Sequence, residues 1–219
     1  MARLNKKNIS GSIALFLTTA GLFTAPQTMA DVQNWNAGTG DWFTPGNWAT
    51  GGVPSIATND ITNINNGGTA QILSGAATTN LLTIGSGAGN TGTVTVQNTG
   101  STLTANTISV GSNDATAAGT LNILDSGSVT SGNLSIGTNG ASGTLNIANG
   151  GVLNVTNQIQ VGNSAASTAT FNIGTGGTAG VVNALSLTSS LGANDTVNFN
   201  HTDTNYYFTN DGTSGGRPS

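Results

Sequence analysis

The sequence predicts an all-β fold, a parallel β-helix (β-solenoid) with three strands per coil of about 26 residues. The first observation is a recurring tetrapeptide. LTIG (82–85), ISVG (108–111), LSIG (134–137) and IQVG (159–162) begin 26, 26 and 25 residues apart. A period of this length marks a solenoid, whose repeats stack and bury a shared core. The second is a companion set at the same period: TVTV (93–96), TLNI (120–123), TLNI (144–147) and TFNI (170–173). The third is the alternation of apolar and polar residues in both sets, which is the strand period.

Residues 1–30 have the form of a secretory signal peptide. Arg3, Lys6 and Lys7 give a basic start, and Ile13 to Phe23 is an apolar run of eleven, short of a bilayer span. Pro26 breaks a helix, and Thr28-Met29-Ala30 ends on a small residue, which places cleavage after Ala30. No second apolar segment of that kind follows, so no transmembrane segment is expected in the mature chain.

Residues 31–60 carry no clear copy of the repeat and hold all three tryptophans, Trp35, Trp42 and Trp48, with Phe43 beside Trp42. An exposed first rung leaves an unpaired edge and an open core. The segment is therefore expected to be an aromatic N-terminal cap; the alternative is an aromatic shelf for carbohydrate.

The repeats occupy residues 61–200, with 61–72 as a degenerate first coil. Leu82 and Ile84, Ile108 and Val110, Leu134 and Ile136, and Ile159 and Val161 should line one inner face. Val94 and Val96, Leu121 and Ile123, Leu145 and Ile147, and Phe171 and Ile173 should line a second. A third, poorer face centres on Leu103, Val129, Leu153 with Val155, and Val181, after Gly100, Gly127, Gly151 and Gly177. A weaker fifth copy, LSL (185–187) and VNF (197–199), puts Thr188 where Gly85, Gly111, Gly137 and Gly162 stand. Between the inward residues of the second face lie Thr95, Asn122, Asn146, Asn172 and Asn198, expected to stack outside as an amide ladder.

Residues 201–219 lose the pattern and are expected to be a truncated or poorly ordered end, with the natural protein continuing beyond it. Other repeat folds fit less well. A propeller blade is longer, and the leucine-rich frame L-x-x-L-x-L-x-x-N is missing. Ice-binding solenoids present a flat grid of threonine, whereas the outward column here reads as mostly Asn with Thr scattered.

Composition narrows function. The chain has 219 residues, 33 Gly, no Cys and, among eight acidic residues, only Asp. Removing residues 1–30 leaves Arg217 as the one basic residue against eight Asp, a net charge near −7. Phosphate neutralisation, and with it nucleic-acid binding, is excluded on charge. No disulfide or thiol chemistry is available without Cys.

The opening W…GDWFTPGNW…G-VP, the xLxIG…GTLNI…G-x-L coils and FNHTDTNYYF (199–208) resemble the N-terminal passenger region of bacterial autotransporters, the type V secretion proteins. The resemblance covers the signal and nearly all of residues 31–210. It implies a right-handed β-helix displayed outside a Gram-negative cell. It also implies a C-terminal outer-membrane β-barrel as exporter, and that barrel is absent from this sequence.

No constellation of reactive residues stands out. His201 is the only His; it lies in NHTD with Asp203 two residues on, and reads as a solvated turn. No G-x-S-x-G elbow supplies a nucleophile. Asp114, Asp125 and Asp195 fall in expected turns, and no Glu is present to pair with them. The calcium-binding G-G-x-G-x-D-x-U-x repeat is absent, and GSGAG (85–89) does not lead from strand to helix as a phosphate loop would.

The sequence thus assigns no catalytic, cofactor-binding or metal-ligating residue, and no cofactor. The expectation is a non-enzymatic passenger or stalk, with adhesion to host or cell-surface glycan or protein as one form of that role. It would be exported to the cell surface, the outer membrane or the medium. The alternatives are a secreted glycan-binding module and, less favoured, a polysaccharide-degrading β-helix enzyme.

Overall fold

The computed structural model describes residues 30–189, 194–204 and 206. The expected signal peptide, apart from Ala30, and residues 207–219 lie outside them.

The fold is an all-β solenoid of about six turns, each of about 26 residues. Its strands come in seven successive pairs, so each sheet spans six coil-to-coil steps. The first pairs are β1 (Val32–Asn34) and β2 (Thr39–Asp41), β3 (Ile61–Ile64) and β4 (Thr69–Ile72), and β5 (Ala76–Ser86) and β6 (Thr91–Gln97). The next are β7 (Thr102–Ser112) and β8 (Ala118–Leu124), and β9 (Ser128–Ile136) and β10 (Ser142–Ile147). The last are β11 (Val152–Val161) and β12 (Thr168–Ile173), and β13 (Val181–Ser189) and β14 (Thr196–Phe199). Odd-numbered strands form one seven-stranded sheet and even-numbered strands the other, each in coil order. All these pairings are parallel.

The tetrapeptides pair as their spacing predicts. Leu82 pairs with Ile108, Ile108 with Leu134 and Leu134 with Ile159. In the other sheet Val94 pairs with Leu121, Leu121 with Leu145 and Leu145 with Phe171. These inward side chains are fully buried and form one continuous core.

Two sheets are found where three were expected. The third face of one coil and the first face of the next run together as one long strand. In β5 the alternation of buried and outward residues resets at Asn80–Leu81, where two successive residues face outward, and β7 repeats this at Asn106–Thr107. The chain thus turns a corner without giving up its ladder. Asn106 Nδ2 donates to Asn80 Oδ1 across that corner at 2.8 Å.

Two register assignments change in the last coil. Leu153 pairs with Val182, so Val182 is the inward residue and Val181 is exposed. A slip of one residue exchanges the faces of a strand. Likewise Leu187 pairs with Ile159 and Thr188 with Gln160, so Thr188 does not occupy the glycine position. The cause is a longer turn before β13. Its extra residues fold back, with Ala148 and Ala179 in an antiparallel bridge and Asn149 N–H donating to Thr178 O at 3.0 Å. Asn183 consequently lies 29 residues after its partner Asn154.

The repeated glycine has a steric reason. Gly111 has a φ of +67°, and a Cβ there would collide with the carbonyl of Ser142 in the following coil. The position therefore needs a left-handed backbone and no side chain.

Candidate functional site

The aromatic segment lies inside the fold. Strands β1 and β2 pair with β3 and β4, so the segment supplies the end strands of both sheets. Trp42 is 0% exposed, and Trp35 and Trp48 are as buried. Trp48 stacks edge-on to both others, with ring centroids 4.9 Å from Trp35 and 4.8 Å from Trp42. Trp48 Nε1 donates to Trp42 O at 2.8 Å and Trp35 Nε1 to Gly38 O at 3.1 Å. Buried rings have no face for a sugar, so the tryptophans plug the core and do not make a carbohydrate shelf.

The acidic residues hold turns. Asp60 accepts from Ser55 N–H at 2.9 Å, and Asp195 accepts from Ala169 N–H at 3.1 Å. Asp125 accepts from Gln97 at 2.6 Å and from Asn149 at 3.0 Å, one coil to either side. Asp114 sits in an exposed turn where the hydroxyl and then the amide of Thr116 hold its carboxyl below the usual range.

His201 departs from the expected solvated turn. Its side chain is 9% exposed, and its ring lies 4.7 Å from that of Tyr206 and 6.4 Å from that of Phe199. Its Nδ1 is 4.0 Å from Asp203, whose carboxylate is held by Ala179 N–H at 2.7 Å. The aromatic neighbours of His201 draw it in against the last coil. Burial, and then the Asp203 charge, push the Tyr206 phenol up to about 12. Among the described residues no group of three or more His, Cys, Asp or Glu could hold a metal ion.

The extended polar feature is the outer face of the even-numbered sheet. Asn122 Nδ2 donates to Thr95 Oγ1 at 3.3 Å. Asn146 then donates to Asn122, Asn172 to Asn146 and Asn198 to Asn172, each at 2.8 Å. The expected amide ladder is therefore present, and every amide donates toward the preceding coil. A groove of about 790 Å³ runs beside its lower half, lined by Asn146, Asn172, Asn198, Thr175 and Phe199.

Threonine is not scattered on this face. Thr39, Thr69, Thr93, Thr120, Thr144, Thr170 and Thr196 pair in register through all seven strands. They stand two residues before the Asn column, on the same outer surface. The signal was present in the sequence, because each tetrapeptide of the second set opens with Thr. It becomes a column only once the pairing is known.

Among the described residues no helix is long and apolar enough to cross a membrane. No protein-family model matches the chain. No curated protein and no solved structure matches it significantly.

Proposed function

We propose that this chain is a non-enzymatic, exported β-solenoid that serves as a stalk or passenger at the surface of a Gram-negative cell. The observation that carries the reading is the Asn122–Asn146–Asn172–Asn198 ladder. It spends outward polar side chains on tying coil to coil, which is what a load-bearing pillar requires. The turn carboxylates do the same: Asp125 bridges to the coils on both sides. The signal-like first thirty residues and the resemblance to autotransporter passengers support export, and the same resemblance implies an outer-membrane β-barrel as partner.

Two measurements test this reading. N-terminal sequencing of the exported chain should begin at Asp31. The chain joined upstream of an autotransporter barrel should be cleaved by protease added to intact cells. Retention of an unprocessed chain in the cytoplasm overturns the export reading. Turnover of a polysaccharide by the purified protein overturns the non-enzymatic one.

A further inference from the structure

We propose that the outer face of the even-numbered sheet, its threonine column together with the adjoining asparagine ladder, binds crystalline water. The proposal goes beyond the stalk reading, since a stalk requires no ligand on this face.

The geometry is a lattice. Neighbouring coils of a parallel sheet are about 4.8 Å apart, and outward residues two positions apart along a strand are about 6.6 Å apart. The Thr and Asn columns therefore form a rectangular array with these two repeats. No register shift interrupts it, whereas the odd-numbered sheet shifts between Val155 and Gln158. The oxygen rows on faces of hexagonal ice repeat at comparable distances, so one orientation satisfies many positions at once. A small soluble ligand would meet only a few of them.

The chemistry matches the lattice. Each Thr hydroxyl can donate and accept, as water does. Among the described residues none of the column's seven hydroxyls has a side-chain partner, while Asn122, Asn146 and Asn172 are each held by the ladder from both sides. Thr has few rotamers, and the laddered amides are fixed, so little side-chain entropy remains to be lost on binding.

Charge and shape exclude other partners. The only charged residue in these two columns is Asp41, at one end, so a charged ligand finds no counter-charge. Neither column contains an aromatic residue to stack on a sugar: the tryptophans are buried, and Phe199, 53% exposed, lies beside the ladder only at its last coil. A neutral, hydrogen-bonding, periodic solid remains.

Slow freezing of a solution of the purified chain tests the proposal. The chain should enter the growing ice and inhibit its recrystallisation. Thr144→Tyr, which raises a bulky ring from the centre of the face, should abolish both effects. Thr104→Tyr, on the outer surface of the odd-numbered sheet between Thr78 and Thr130, should abolish neither. Thr93→Tyr repeats the test if the first variant fails to fold by circular dichroism. Exclusion of the wild-type chain from ice overturns the proposal, as does equal loss with Thr104→Tyr. Sedimentation with insoluble cellulose that depends on Thr144 also overturns it and assigns the face to a crystalline polysaccharide. A chain excluded from ice but displayed on cells sinks this proposal and leaves the stalk reading standing.

Discussion

Asn146 Nδ2 donates to Asn122 Oδ1 in the coil before it, at 2.8 Å, and Asn146 Oδ1 accepts from Asn172 in the coil after it at the same distance. One side chain therefore ties three coils together. Backbone pairing alone leaves outward side chains free to move, whereas the ladder orders them along the solenoid axis.

Asn146→Ala removes both bonds. A net contribution of about 0.5–1.5 kcal/mol per bond predicts a loss of about 1–3 kcal/mol, read as a lower denaturant midpoint. An unchanged midpoint would mean that water replaces the ladder without cost.

Gly111→Ala and Gly89→Ala separate strain from collision. Both glycines have positive φ, +67° and +69°, but a Cβ on Gly89 meets nothing within 4 Å while one on Gly111 strikes Ser142 O. Gly89→Ala should cost about 1–2 kcal/mol, the left-handed penalty. Gly111→Ala should cost clearly more or prevent folding. Equal thermal shifts would contradict the close approach of coils at Gly111.

Trp42→Ala should destabilise by about 3–5 kcal/mol, because it empties the plug over the first coil. In the unaltered chain the three buried indoles should emit at short wavelength and resist quenching by iodide. Red-shifted, readily quenched emission would place them at the surface and revive a carbohydrate shelf.

Tyr206 offers a test by pH. Its phenol is pushed up to about 12 by burial and by Asp203. The fold favours the neutral form, so its contribution to stability is complete below the ordinary tyrosine range near 10. It is lost as pH rises through about 12. In a Tyr207→Phe variant, absorbance near 295 nm should titrate late, and Asp203→Asn should bring the midpoint down. An ordinary midpoint would mean that the ring does not pack against His201 and Phe199.

Legibility followed the strength of the local pattern. Leu82, Ile108, Leu134 and Ile159 were readable as one stack because a glycine at a fixed offset marks each copy. Val182 was not, because VV (181–182) satisfies either register, and the longer turn before it cannot be measured by counting. His201 was misread as solvated because its burial depends on Phe199 and Tyr206, which reach it only after the chain turns. The Thr column was in plain view, yet its letters align only when the strands pair.

The sequence by itself determined the solenoid, its period, the inward residues of the central coils and the Asn ladder. These follow from side-chain alternation and from turn residues at regular offsets, both local properties. Tertiary structure decided what depends on contact between distant residues. It joined two faces into one strand around Asn80 and Asn106, buried the tryptophans, drew His201 under an aromatic cluster and brought seven threonines into line. The physical reason is that a strand specifies which side chains point outward, while only pairing specifies which of them become neighbours.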